Sequence, residues 1–264
     1  MKLRLDARRI GYVLLGWLVA VGLLGLWQVY ASSADLLYLS TFTDSVTAMW
    51  GFLSEPSLSV DVLPSVGRMI AGYVIGCAAG IAIGVPVGYL RSMEPWVRPV
   101  LEFMRSLPAP VILPMALLLL GANTGMKVAV IAYGCCWPVM LNAIDATRSV
   151  DPLLIDTGKV NRLGTFAILR RIALPASMPQ IFAGMRTALG IALILMVFSE
   201  MIGASSGLGF QILTSQRRFL VPEVYGGVLL IGLIGWAFTV LFSQLERRVL
   251  AWHHGRTGGF GNGQ

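Results

Sequence analysis

The sequence predicts an all-α integral membrane protein with six transmembrane helices, and three observations predict it. Of the 264 residues, 56% are hydrophobic and 12% are charged, with a mean hydropathy of +0.76. A soluble globule carries roughly a quarter charged residues, so a water-soluble enzyme is excluded at the outset. Apolar runs recur at lengths near the ~20 residues that cross ~30 Å of hydrocarbon, which leaves room for about six spans and no second soluble domain. Finally, the basic residues are sorted along the chain by the side of the membrane on which each connecting segment would lie.

Residues 1–9 form an N-terminal segment carrying Lys2, Arg4, Arg8 and Arg9. The run 10–30 is apolar and uncharged; it exceeds the roughly 7–15 residues of a signal-peptide core and holds Trp17 and Trp27, so it reads as an uncleaved first span. In the following segment, 31–66, Phe42, Val46, Met49, Trp50 and Leu53 recur at helical spacing behind Thr43 and Asp44, which can cap. That pattern predicts an amphipathic helix at the outer interface.

Span two, 67–90, carries Gly72, Gly76, Gly80, Gly84 and Gly88, one small residue per turn on a single stripe. In lipid, helix association relies on close van der Waals contact, so the stripe predicts a central helix packed tightly on a neighbour. Pro86 in that helix, and Pro108, Pro110 and Pro114 in span three, 100–120, free backbone groups that protein or a watery cavity must satisfy. Span three is therefore expected to be irregular and to line a path. Spans four to six fall at 126–145, 180–203 and 224–244, completing a membrane domain over 10–250 before a tail at 251–264. Between spans four and five, the insert 146–179 interleaves Asp151, Asp156, Lys159, Arg162, Arg170 and Arg171 with apolar residues such as Leu153, Leu154, Leu163 and Ile172. So large an amphipathic segment needs a protein partner or the membrane surface to cover its apolar face.

With the N-terminus in the cytoplasm, 16 of the 20 Lys and Arg residues lie on inside segments, and Arg68, Lys127, Arg217 and Arg218 lie outside. The first outside segment carries Asp35, Asp44, Glu55 and Asp61. The positive-inside rule then places both termini in the cytoplasm. The net charge of +7 is explained by that sorting and does not require nucleic acid as a partner.

No catalytic constellation emerges. Cys77, Cys135 and Cys136 all lie in apolar runs without C-x-x-C spacing and read as small core residues. Gly203, Ser205 and Gly207 spell G-x-S-x-G, but a serine nucleophile needs a base within reach, and His253 and His254 fall in the tail on the opposite side of the bilayer. Those two histidines read as incidental rather than as a metal site. Gly121, Gly125 and Lys127 lack the spacing and the hydroxyl of a phosphate-binding loop. No metal site and no cofactor are expected in this chain. Glu200, an acid near the outer end of span five, remains: it either lines a path or pairs with Arg68, Arg217 or Arg218.

The insert carries a resemblance. The EAA loop of ABC-importer permeases has the frame E-A-A-x3-G-x9-I-x-L-P, which falls here without a gap on Asp156, Thr157, Gly158, Arg162, Ile172, Leu174 and Pro175. Asp156 replaces Glu, Thr157 and Gly158 replace the alanines, and Arg162 replaces the glycine; the I-x-L-P end matches letter for letter. Ser65, Arg68 and Gly72, then Arg105, Pro108, Pro110, Pro114, Gly121 and Lys127, then Pro179 and Gly184, and finally Glu200 with Gly207, Leu208 and Gly209 resemble the sulfonate, taurine and nitrate branch of that family. The resemblance spans roughly 65–250.

What it implies is a type I importer permease: six helices, pairing with a second copy of itself, two ATPase subunits below that supply ATP and Mg, and an extracytoplasmic binding protein delivering a small anion in a bacterial cytoplasmic membrane. The insert would be the coupling element, with Asp156, Thr157, Gly158, Arg162, Leu163 and Gly164 on a helix over 156–164 that docks in the ATPase. The alternative class is an ATP-independent secondary transporter or channel with Glu200 as a proton-coupling group; it should show an inverted repeat, and no second copy of the glycine stripe or of the proline-rich helix is present.

Overall fold

The structure is a computed structural model that describes residues 2–34 and 36–251; for residues 2–11, 13, 14, 91, 94 and 105 it describes the backbone alone. The expected tail, with His253 and His254, lies outside the described residues apart from Ala251. Among the described residues the regular structure is entirely helical: α1 (Lys2–Ala34), α2 (Phe42–Phe52), α3 (Leu63–Tyr89), α4 (Glu94–Ser106), α5 (Ala109–Leu120), α6 (Thr124–Arg148), α7 (Pro152–Val160), α8 (Thr165–Ile168), α9 (Leu174–Gly203), α10 (Leu208–Arg217) and α11 (Val221–Val249). Five stretches are long and apolar enough to cross a membrane, or six if the bent pair of α4 and α5 counts as one span.

Span three is broken, as its prolines demand. The segments Pro95–Met104 and Ala109–Leu120 meet at 86°. The residue before a proline is pushed out of the helical region, and Leu107, which precedes Pro108, has ψ 113. Two other prolines shape helix entries. Leu58–Val62 and Leu169–Ala173 are π-helical turns, each followed by a Leu-Pro pair, Leu63 with Pro64 and Leu174 with Pro175. A proline ring clashes with the carbonyl four residues earlier, and the wider turn relieves that clash. The same Pro175 that ends the sequence frame therefore sits in the first turn of α9, five residues before the predicted start of span five.

The chain divides into two compact units. The first comprises Met1–Leu58 and Gln211–Leu230. Its organiser is Trp27, whose Nε1 donates to the Ser40 carbonyl at 3.1 Å and whose ring meets Phe42 and Tyr225 at centroid distances of 5.5 and 5.9 Å. The amphipathic helix expected in 31–66 is α2, but its cap is Thr41 rather than Thr43 or Asp44. Thr41 Oγ1 accepts the Asp44 N–H at 3.1 Å, because a capping side chain must precede the first helical turn.

The second unit, Ser59–Phe210 and Ile231–Gln264, has α3, α6 and α9 at its centre. The glycine stripe of α3 lies directly on α6. A Cβ on Gly76 would sit 2.5 Å from the Ala132 carbonyl oxygen, on Gly80 2.8 Å from that of Cys136, on Gly84 2.6 Å from that of Met140, and on Gly88 2.6 Å from that of Ile144. Gly72 meets Ile131 at 2.6 Å. Positions advance together on both helices, so α3 and α6 run parallel with backbone against backbone. On another face of α6, Gly134 receives Leu195 and Gly184 of α9 receives Asn142, an antiparallel approach. Met69, Ile131, Val139, Ile181, Leu195 and Met196 are fully buried there. Cys77 and Cys135 are buried and all three cysteines are free.

Candidate functional site

At the end of α9 that meets the start of α3, the second unit holds a buried polar knot. Glu200 is 0% exposed and pairs with Arg68 at 2.7 Å, the Arg68 side chain being 12% exposed. Ser65 Oγ lies 2.7 and 2.8 Å from the two Glu200 carboxylate oxygens and 2.7 Å from the Asp61 carbonyl, and it accepts the Leu208 N–H at 3.0 Å. The Gly209 N–H donates to Glu200 at 3.1 Å, and the Gly207 N–H donates to the buried Asp61 carboxylate at 2.7 Å. Asp61, Ser65 and Arg68 are spaced i, i+4 and i+7, so one helix face presents all three. Lys127, 5% exposed at the start of α6, is within electrostatic reach of Arg68 and Glu200.

Glycine is required in this loop for space and for backbone. Gly207 has φ +121, and a Cβ there would fall 2.5 Å from Glu200 Cδ; on Gly209 it would fall 2.4 Å from the Val197 carbonyl oxygen. Gly207, the second glycine of the G-x-S-x-G match, thus makes room for a carboxylate, whereas Gly203 faces Leu117 and Met126, and Ser205 stands exposed on the bend before α10. Of the basic residues that the sequence offered to Glu200, the fold brings Arg68. The knot joins three chain segments: the π-turn and start of α3, the end of α9, and the bend before α10 with its first two residues. A buried ion pair contributes little net stability beside a well-packed apolar alternative, but removing one partner is costly.

The breaks in span three border a second feature. Pro108 and Pro110 line a mostly apolar cavity of about 400 Å³ with Gly134, Trp137, Ile191 and Leu195. Pro114 lies within α5.

The insert differs from its expected helix in register. The helix is α7, capped by Asp151, whose carboxylate accepts the Leu153 N–H at 2.9 Å, and it begins with Pro152. It ends at Val160, so Asp156, Thr157 and Gly158 lie on it while Arg162, Leu163 and Gly164 form the turn beyond. Arg162 is left-handed, φ 56. The Leu163 N–H donates to the Gly158 carbonyl at 3.1 Å and the Arg162 N–H to that of Lys159 at 2.9 Å, the paired bonds of a Schellman stop, whose left-handed position favours glycine. The residue that departs from the expected glycine therefore stands where a glycine would be unstrained. The sequence signal was present in the frame itself; what hid the stop was the arginine.

Gly158 is buried: a Cβ would meet Ile172 Cδ1 at 2.7 Å and Ile168 Cγ1 at 3.2 Å, so α7 leans on the π-turn leading into α9. On the opposite face of α7, Leu153 and Val160, seven residues apart, are 70% and 83% exposed, while Leu154, one turn before Gly158, is 48% exposed and Phe166 of α8 is 76% exposed. Lys159 Nζ reaches Asp156 at 2.9 Å; the carboxylate holds the ammonium above its ordinary pKa, and as both groups are well exposed the pair contributes little to stability.

Comparison with known proteins agrees with this architecture. Among similar proteins, the bicarbonate transport system permease protein CmpB of Synechocystis sp. is 29% identical over 241 residues, 87% of this chain and 86% of its own. A Bacillus subtilis protein named provisionally as an aliphatic sulfonates transport permease is 27% identical over 247 residues, 92% of this chain and 89% of its own. Inward-facing MetNI methionine ABC transporter shares the fold with a TM-score of 0.56 at 18% identity, over 70% of this chain and 94% of that one. An amino acid ABC transporter matches with a TM-score of 0.54 at 17% identity, over 78% and 96%. The model of one family, described as the binding-protein-dependent transport system inner membrane component, matches residues 72–251. Buried helix stripe, broken span and projecting insert are thus those of a multi-pass permease, and the chain belongs to the family of binding-protein-dependent transport system inner membrane components.

Proposed function

We propose that this permease forms the passage for a small anion, a sulfonate, taurine, nitrate, bicarbonate or similar, through a bacterial cytoplasmic membrane, with both termini cytoplasmic. An extracytoplasmic binding protein delivers the anion, a second copy of the chain completes the passage, and two separate ATPase subunits, which carry the ATP and Mg, drive it. The observation that carries this reading is α7: a capped, Schellman-stopped helix outside the spans, with exposed Leu153 and Val160 on one side and a glycine contact to the root of α9 on the other. Exposed apolar side chains on a short polar helix call for a protein partner, and the contact at Gly158 passes any displacement of α7 into α9.

The test is co-purification of the ATPase with the permease. Val160→Asp places a charge on the exposed apolar end of α7 and should release the ATPase while the variant still inserts in the membrane. Leu163→Asp, in the half-buried turn, should release it less. Full retention of the ATPase by Val160→Asp would refute the coupling role of α7. ATP-independent uptake that follows a proton gradient would favour the secondary transporter.

A further inference from the structure

We propose that the cavity at the break in span three receives the hydrocarbon body of the substrate, so that the anion passed is an organic one, an alkyl or aryl group bearing a sulfonate or carboxylate, and not nitrate or bicarbonate. The proposal rests on the importer reading above and narrows its substrate. The cavity, of about 400 Å³, lies inside the second unit where α5, α6 and α9 meet, with Leu107 and Pro108 of the break, Gly134 and Trp137 of α6, and Ile191 and Leu195 of α9 on its wall. Its α6 residues fall between 134 and 141, the middle of a helix that runs from Thr124 to Arg148. It therefore sits near mid-depth of the membrane and away from both interfaces. Irregular backbone persists at that depth only where protein or a water-filled space borders it, and here the break itself forms part of the wall.

The chemistry of the wall separates the candidate anions. Among the described residues no charged side chain lines the cavity. The Trp137 Nε1 is closed off from solvent and has no hydrogen-bond partner, so the ring offers the cavity its apolar surface and not its donor. Pro138 has no N–H for the Gly134 carbonyl, and Pro114 has none for that of Pro110; Gly134 and Pro110 both line the cavity. The polar groups that these prolines leave on the wall are thus acceptors. An inorganic oxyanion would be stripped of water against apolar side chains and carbonyl oxygens, with no cation to offset the loss. A hydrocarbon body is favoured there because its surface leaves water, and the volume and apolar lining are those of a pocket for a small organic ligand. A lipid chain brings no donor for the carbonyls, whereas a short body leaves room beside it for water that does. Leu107 and Ile194 are exposed at the edge of the cavity, where the charged head stays in water.

The experiment uses proteoliposomes that hold the permease with its ATPase, supplied with the binding protein, and reads ATP-driven uptake of ethanesulfonate, hexanesulfonate, benzenesulfonate, hexanoate, benzoate, nitrate and bicarbonate, each labelled and offered alone. The wild type should take up organic probes and neither inorganic ion. Ile194→Trp fills the edge of the cavity and should lower kcat/KM for the bulkier transported probes about tenfold more than for ethanesulfonate, while Ile194→Ala should shift the preference towards the bulkier ones. One binding protein serves all three permeases, so a changed preference belongs to the permease. The Ile194 side chain is 54% exposed, so both variants should keep the wild-type unfolding temperature. Uptake of nitrate or bicarbonate by the wild type overturns the proposal and leaves the importer reading standing. An effect of the two variants that is equal for every probe, or absent, also overturns it, because the cavity then holds lipid or water alone. No uptake of any organic probe overturns it as well; if the binding protein also leaves ATP hydrolysis unstimulated, the importer reading itself fails.

Discussion

Replacing Glu200 by Gln isolates the charge at the centre of the buried knot. Glu200 is 0% exposed and the Arg68 side chain facing it is 12% exposed, so solvent screens neither. Breaking a buried pair by removing one partner costs roughly 3–5 kcal/mol, because the remaining ion is left without its counter-charge. Gln keeps the volume and an acceptor for Ser65 or the Gly209 N–H, which places the expected loss at the low end, about 3 kcal/mol, or roughly a hundredfold in the unfolding equilibrium. Lys127 nearby adds to the uncompensated positive charge and acts in the same direction. Adding Arg68→Met to Glu200→Gln removes both charges, and the double variant should recover about 2 kcal/mol of the loss, since an apolar replacement of a buried pair is often neutral. Equilibrium unfolding of the purified permease in mixed detergent micelles measures all four corners of this cycle. A Glu200→Gln protein within about 0.5 kcal/mol of wild type, or a double variant no more stable than the single, would refute the ion pair as the tie between α3 and α9.

Three further outcomes follow from the geometry. Gly80→Leu puts a side chain where even a Cβ lies 2.8 Å from the Cys136 carbonyl oxygen; overpacking of about 1–3 kcal/mol should reduce the yield of folded permease, and wild-type yield would show that α3 and α6 are not in backbone contact. Arg162→Gly relieves a left-handed residue at the end of α7, a gain of about 1 kcal/mol that should slow exchange of the Leu163 amide about fivefold; faster exchange would refute the Schellman stop. In a version lacking the native cysteines, an impermeant thiol reagent added to intact cells should label Ser54→Cys, on the exposed turn after α2, and should not label Gly263→Cys, and labelling of the latter would reverse the cytoplasmic C-terminus.

Periodicity and composition were enough to find what lipid imposes. Each span satisfies its own backbone and must be apolar, so every span leaves a mark about 20 residues long that needs no partner to be visible. The five-glycine stripe was legible for the same kind of reason: a close helix approach requires small residues at one position per turn on the approaching helix. That its counterpart is α6, running parallel, was not written in α3, because the facing surface is backbone carbonyl and any sequence presents that. Likewise Pro108 announced a broken span, whereas the 86° between its halves comes from how α5 packs on α6 and α9.

The polar knot and the two turns mark the boundary most sharply. Asp61, Ser65 and Arg68 are near in sequence and could be seen to share a face, and Glu200 could be seen to need a partner, but 132 residues separate Arg68 from Glu200 and three basic residues were available to it. Choosing among them is a matter of distance in three dimensions, which local spacing does not encode. The insert shows the complementary case. Its frame of residues was readable, yet the helix proved to stop at Val160 because paired backbone hydrogen bonds hold Arg162 left-handed in spite of its side chain. By itself the sequence determined a multi-span, all-helical permease with an amphipathic insert, since hydrophobic length and periodicity act residue by residue. Only the tertiary structure decided which charge meets Glu200, why Gly207 must be glycine, and where α7 ends, since those depend on close contacts and backbone strain between atoms that the chain brings together only after folding.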